Sequence, residues 1–365
     1  MKGSDVMYNI LTNFKLSKKI SIDKIGILFR PLSNKEKQMI LNQIDKIYTK
    51  NKKIINEADK KYAKEDEYKL SADLLKYDDI TRQSIIFCFM NKKSGFKFNT
   101  PKKIHQILDN MMIIEQKKEV LSEFIEEKNI SKFISNILSL YDIYSSDINF
   151  NNKVRTDYTF ILNDNILNPK EKDYNLNLIH NVLMSYKNKM LKEAELSEEY
   201  LISLNEFFSK LNKNEIRRFL NVIDLFYSDN IMIQNRVVNN ITIAESVLIK
   251  EGEDIKSNYI LKAGLILKKY TSKALYINDF IKVYLNYCYD IRSAIVHGNE
   301  EKILDIYDKA IKKNKYIKKL ADEPGETYNN KKMKALGLAN IMSIIVNRAI
   351  IKYWIENPSM IDYFK

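Results

Sequence analysis

The sequence predicts a mainly α protein: an all-α helical bundle over 206–365, preceded by a mixed α+β domain over 1–205. Three observations predict it. Only 8 Gly and 5 Pro occur in 365 residues, which argues against a loop-rich β-sandwich and for helices with few interruptions. The second half carries six successive segments with apolar residues at helical spacing. In the first half, Ile20 to Phe29 alternates apolar and polar residues as a strand or a bent pair of strands would. At 45% hydrophobic residues the chain can bury two cores. The division falls near a charged stretch, Lys187 to Glu199.

In the first half, Pro31 ends the alternating segment. Ser33 and Glu36 then form a capping box that opens a helix to about Lys50. Ile85–Met90 and Phe96–Phe98 flank Asn91-Lys92-Lys93-Ser94-Gly95 and predict a hairpin. Thr100-Pro101 starts a helix, with Pro at its first position, that runs on through Ile104, Ile107, Met111 and Ile114. Helix dominates again from Lys117 to Tyr144, and Lys153 to Leu162 reads as another strand. In the second half, helices are expected at Glu215–Tyr227, Ile231–Lys250, Asp254–Lys269, Asp279–His297, Glu301–Leu320 and Lys331–Glu356. The breaks between them fall at Asp229-Asn230, Gly252, Asn278, Gly298, Pro324-Gly325 and Pro358.

The net charge is +13, a field that draws in polyanions, with nucleic acid the first candidate. Of the 60 basic residues 52 are Lys, so part of this charge reflects the codon bias of an AT-rich genome. Cys88 and Cys288 show no pairing pattern, which suits a reducing cytosol. No signal-peptide pattern opens the chain, and Leu338–Trp354, with Asn340, Ser343, Asn347 and Arg348, is too polar to span a membrane. A cytoplasmic protein without membrane association is therefore expected. Neither a Walker A sequence nor Gly-x-Gly-x-x-Gly nor Gly-x-Ser-x-Gly occurs. His105, His180 and His297 are isolated from one another and from both cysteines, so neither a metal site nor a cofactor is expected.

The segment with the most chemistry is Tyr287-Cys288-Tyr289-Asp290-Ile291-Arg292-Ser293-Ala294-Ile295-Val296-His297-Gly298-Asn299. It sets an arginine five residues before a histidine on a predicted helix, uncommon in a chain with 3 His and 8 Arg. A guanidinium and an imidazole supply a fixed cation with several donors and a base that titrates near neutrality, the minimal kit for phosphodiester chemistry. Asn278 suits the helix N-cap and Gly298 the position just past its end. Ile281, Tyr284, Cys288, Ile291 and Ile295 define a core stripe that includes neither Arg292 nor His297. At helical geometry those two lie about 140° apart, so either the last turn unwinds at Gly298 or a second subunit completes the site. Ser293 sits one turn before His297. Spacing alone also fits a surface arginine and a histidine that favours the helix dipole.

The string Tyr289-Asp290-Ile291-Arg292-Ser293-Ala294-Ile295-Val296-His297-Gly298 resembles the signature of HEPN domains, in particular their ApeA-like branch. Ile243-Ala244-Glu245-Ser246-Val247-Leu248 is similar to a second segment of that branch, with Glu245 as its acidic residue. Ile25 to Leu32 resembles a strand-and-turn segment near the start of such proteins. The resemblance covers roughly 210–356 and implies a helical bundle that acts as a metal-independent endoribonuclease, or a silent relative that binds RNA. It implies a dimer in which two Arg-His pairs line one cleft, with His297 as general base or acid and Arg292 as phosphate clamp. Many HEPN nucleases carry an amide residue directly after the arginine; here it is Ser293, as is usual in the ApeA-like branch.

Other residues extend the site. Glu245, at the edge of the stripe formed by Val237, Ile241, Ala244 and Leu248, could orient Arg292 or His297, or reach solvent. Asp290 is a weaker supporting acid. Lys309, Lys312, Lys313, Lys315, Lys318 and Lys319 would hold an RNA backbone if their helix packs beside the cleft; otherwise they form a solvated face. Tyr287 and Tyr289 could stack a base. The expectation is an RNA-cleaving HEPN effector, in anti-phage defence (abortive infection) or as a toxin. The first domain would sense a phage-derived trigger or restrain the nuclease, alone or with a cognate regulatory protein. The alternatives are a catalytically inactive HEPN module for RNA or protein interaction, and a DNA binder favoured by charge alone.

Overall fold

A computed structural model describes residues 6–12, 16–42, 108–109, 112–126, 129–145, 197–228, 232–270, 278–322 and 330–359. These are mostly helical, with one small sheet near the N-terminus. The chain divides into two compact units, 1–131 with 157–202, and 132–156 with 203–365.

The first unit holds an antiparallel sheet of β1 (Val6–Thr12), β2 (Ile20–Ile22), β3 (Ile27–Pro31) and β4 (Met112–Lys117), in the order β1-β4-β3-β2. The alternating segment is thus a bent pair of strands. A 3-10 turn at Asp23–Ile25 and Gly26 at φ 65° make the bend. A Cβ on Gly26 would lie 2.9 Å from Val120 Cβ, so only glycine fits there. β4 inserts between β1 and β3, with Ile114 opposite Ile10 and Phe29. This overturns the helical expectation at Ile114, while Met111 lies outside the described residues. Met112, Ile113 and Ile114 are all buried, and a short apolar run fits strand or helix until strand partners on both sides decide it. The capping box forms, with Ser33 N donating to Glu36 at 2.8 Å and Glu36 N to Ser33 Oγ at 3.3 Å, and opens helix α1 (34–42). Arg30 ties this cap to the sheet, donating to Glu36 at 2.6 Å and to Glu115 at 2.7 Å. Burial opposes ionisation of Glu36, but the Arg30 and Ser33 hydrogen bonds outweigh it and pull the carboxyl down to about 2. The expected hairpin at 85–98, the helix start at Thr100-Pro101 and the strand at 153–162 lie outside the described residues.

The second unit is helical. Its elements are α2 (Ile130–Ser145, from Lys132 on), α3 (Glu198–Lys210, from Ser203 on), α4 (Lys213–Phe226), α5 (Ile233–Leu248), α6 (Ile255–Tyr270), α7 (Asn278–Val296), α8 (Glu300–Lys313), α9 (Lys315–Asp322) and α10 (Lys331–Glu356). Segment 132–145, which precedes the expected boundary at 205, packs here: Arg348 pairs with Asp142 at 2.6 Å and Lys132 with Asp224 at 2.6 Å. α3 was not anticipated, because the charged stretch before it reads as a boundary; Leu204, Phe207 and Phe208 bury its inner face. The helix expected from Glu301 to Leu320 is two, broken at Asn314.

α5, α6, α7 and α10 pack mutually. The pairings Glu245–Arg292, Lys256–Asp290 and Tyr287–Ala335 show that α5 and α7 run one way and α6 and α10 the other. Along α5 and α10, Asn240 donates to Ser343 at 3.1 Å and Asn347 to the Asn240 carbonyl at 2.9 Å, a polar seam that fixes their register. Phe207, Phe219 and Trp354 form an aromatic cluster with centroids 4.6–6.3 Å apart. α10 is long and apolar enough to cross a membrane by length and composition, yet 78% of its most apolar window is buried inside the protein.

Candidate active site

α7 carries Arg292 and His297 because its inner face is continuously apolar. Phe280, Ile281, Tyr284, Leu285, Tyr287, Cys288, Ile291 and Ala294 are all buried, a wider stripe than the spacing predicts, although Ile295, expected in it, is only half-buried. The helix ends as Gly298 predicts. Gly298 adopts φ 65°, its N–H donates to Ile295 O at 3.0 Å, and Asn299 N–H donates to Ala294 O at 2.9 Å. Those two bonds are a Schellman closure. Asn299 then caps α8, accepting from Lys302 N at 3.0 Å, so one residue closes a helix and opens the next. Asn278 already belongs to α7.

His297 is exposed, the last residue before the left-handed turn. Its own N–H still donates to Ser293 O at 3.1 Å, so the helical ladder reaches His297 rather than unwinding before it. Ser293 is half-buried on the same turn. No contact joins the Arg292 and His297 side chains among the described residues.

Arg292 turns toward α5. One Nη donates to Glu245 Oε2 at 3.2 Å, with 25% of the arginine side chain and 15% of the glutamate side chain exposed. Burial raises the Glu245 carboxyl above the ordinary range, and the Arg292 charge opposes it. The Arg292 guanidinium carbon also lies 5.9 Å from the Tyr289 ring centroid, a cation–π distance. Of the two supporting acids, Glu245 therefore meets Arg292, while Asp290 pairs with Lys256 at 2.6 Å.

Lys256 is a site residue that sequence reasoning missed. It sits 5.9 Å from the Tyr289 ring as well as on Asp290, and nothing local to α6 foretells a pairing made across helices. Lys262 is another. Its buried ammonium donates to Leu248 O at 2.9 Å and to Glu253 at 2.7 Å, fixing the α5–α6 turn at the end of the bundle that carries His297. Tyr287 cannot stack a base, because it is buried and its hydroxyl donates to Ala335 O at 2.8 Å. Tyr289 is half-buried, with Tyr259 beside it at 5.8 Å.

The lysines stand apart. α8 packs along α7, but it leads away from His297, so Lys309 lies about 14 Å along the axis from the start of α8, and Lys312 and Lys313 farther. Lys309 pairs with Asp305 at 2.5 Å; Lys312, Lys313, Lys315, Lys318 and Lys319 are exposed. No group of three or more His, Cys, Asp or Glu side chains suited to a metal ion occurs among the described residues.

Comparison with known proteins gives no bearing on identity. No family model, no curated protein and no solved structure matches the chain.

Proposed function

We propose that this chain is a HEPN-type, metal-independent endoribonuclease acting in anti-phage defence or as a toxin. The observation that supports this most is the arrangement at one end of the bundle. An exposed imidazole at a fixed helix terminus stands one turn beyond an arginine held by a carboxylate. In the reaction, His297 takes the proton of an RNA 2′-hydroxyl as its oxygen attacks the adjacent phosphorus. Arg292 stabilises the charge that builds on the phosphoryl oxygens. The bond to the 5′-oxygen breaks and that oxygen takes a proton from water while His297 returns its own to solvent, giving a 2′,3′-cyclic phosphate and a 5′-hydroxyl. Because Arg292 faces α5 and His297 faces solvent, the proposal includes a two-fold homodimer whose α7 helices face each other across one cleft. Glu245 orients Arg292, while the exposed lysines of α8 and α9 bind RNA backbone away from the reacting phosphate.

The decisive experiment incubates the purified protein and its His297→Ala variant with total tRNA and rRNA. Cleavage by the wild type alone, leaving cyclic-phosphate ends and insensitive to EDTA, supports the proposal. Equal cleavage by both, or loss of cleavage on chelation with rescue by Mg²⁺, overturns it.

One observation favours the non-catalytic alternative, an interaction module. Leu261 and Leu265, one turn apart on α6, are 59% and 58% exposed, an apolar pair suited to a protein partner. Absence of cleavage under every condition would favour that alternative.

A further inference from the structure

Among the described residues, three polar atoms on α5, α6 and α7 are shielded from solvent and have no hydrogen-bond partner: Glu245 Oε1, Tyr259 Oη and Arg292 Nε. Such groups are normally satisfied, because an unmade bond in the interior costs more than a made one returns. Two of them belong to side chains already joined at 3.2 Å. The third projects from α6, which packs on both α5 and α7. Tyr259 is fully buried, and its ring lies 5.8 Å from the Tyr289 ring, over which the Arg292 guanidinium also sits at 5.9 Å. Burial holds the Tyr259 phenol well above its ordinary range, and Cys288 and then the Glu245 charge add to the effect.

The inventory of the three atoms is complementary. Arg292 Nε is a donor only, Glu245 Oε1 an acceptor, and a tyrosine hydroxyl can be either. A single water can accept from the arginine and the tyrosine while donating to the carboxylate, which is the usual number of bonds for a buried water. We propose that these three atoms hold one water in common, and that Tyr259 is thereby a positioning residue for Arg292. With one Nη on Glu245 and Nε on the shared water, the fork is fixed on two sides. Its remaining N–H groups are the ones a phosphate meets. The bearing of this on catalysis rests on the nuclease proposal; the hydrogen bonding does not.

The test is therefore read without RNA. In ¹⁵N-labelled protein the Arg292 Nε–H resonance, assigned by its loss in R292K, is expected to exchange slowly with solvent. Tyr259→Phe keeps the ring and removes the hydroxyl; it should shift that resonance and speed its exchange about tenfold. Tyr284→Phe is the control, since its buried hydroxyl donates to Met342 O at 3.1 Å and lies outside the set. It should leave the resonance alone. If Tyr259→Phe leaves the resonance as unchanged as the control does, the proposal is overturned, even where both variants lower the melting temperature. Should Tyr259→Phe fail to fold, a high-resolution crystal structure of the wild type decides. One ordered water bonded to all three atoms upholds the proposal, and its absence overturns it. A protein that cuts no RNA but passes this test defeats the nuclease proposal alone.

Discussion

Glu245 and Arg292 are 47 residues apart in sequence and 3.2 Å apart in space, and theirs is the contact that ties the arginine to the neighbouring helix. Among the described residues neither has another charged partner within hydrogen-bond reach, and both are mostly buried. Removing one leaves a shielded charge uncompensated. Glu245→Ala and Arg292→Ala should each destabilise the second unit by roughly 1–3 kcal/mol, and the double variant by less than their sum, with a coupling of about 0.5–2 kcal/mol. Denaturant titration of the four proteins checks this; strict additivity would remove the pair from the account.

His297 makes the opposite prediction for stability. Its side chain is exposed and hydrogen-bonded to nothing among the described residues, so His297→Ala should change stability by less than about 0.5 kcal/mol while abolishing cleavage. A collapsed fold would make it structural. Mixing Arg292→Ala with His297→Ala protomers separates two geometries. A composite site built from both chains regains activity in heterodimers, whereas self-contained sites stay dead.

Gly298 holds φ 65° with nothing within 4 Å of where a Cβ would lie. Gly298→Ala therefore meets no clash and costs only the left-handed backbone, about 1 kcal/mol. Gly298→Asn should cost less than Gly298→Ala, because asparagine tolerates that region. Thermal melts of the two variants check the order.

Lys312 and Lys313 lie at the far end of α8 from His297, so they are expected to contribute to affinity and not to chemistry. The double alanine variant should weaken binding of single-stranded RNA and flatten the salt dependence of log K by about 1.4, the effect of two phosphate contacts. The single-turnover rate at saturating RNA should hold. A fall in that rate would place the lysines at the reacting phosphate.

In the first unit Glu36 contributes to the acid response. Its folded carboxyl, near 2, is depressed below the ordinary value of about 4.3, so its ionised form stabilises the fold at neutral pH. That contribution is present above the unfolded value and is lost as pH falls through the window between the two. Glu36→Gln should lower stability at pH 7 by roughly 1–3 kcal/mol and flatten the acid limb between about pH 4.5 and 2. An unchanged limb would show that Arg30 does not hold Glu36 in solution.

Much of the second unit was legible in the sequence because helix periodicity and punctuation agree there. Val237, Ile241, Ala244 and Leu248 mark the inner face of α5, and all four are buried. Gly298 marked the end of α7 because no other residue enters the left-handed turn so readily. β4 was not legible. Its strand character comes from β1 and β3, and β4 is separated from both by a long stretch of chain. At the candidate site, sequence could place Arg292 off the core stripe but could not choose between its acids. That choice depends on how α5, α6 and α7 pack, which also gives Asp290 to Lys256 and buries Tyr287.

Trp354 is the one tryptophan of the chain, and it is fully buried, edge to face with both Phe207 and Phe219. An optical consequence follows. Emission excited at the red edge of protein absorbance reports from the helical unit alone and is blind to the sheet. Far-ultraviolet dichroism collects both, so the two signals measured on one sample will disagree wherever the units melt at different temperatures. That discrepancy gives a direct way to ask whether the N-terminal region governs the stability of the end of the bundle that carries His297.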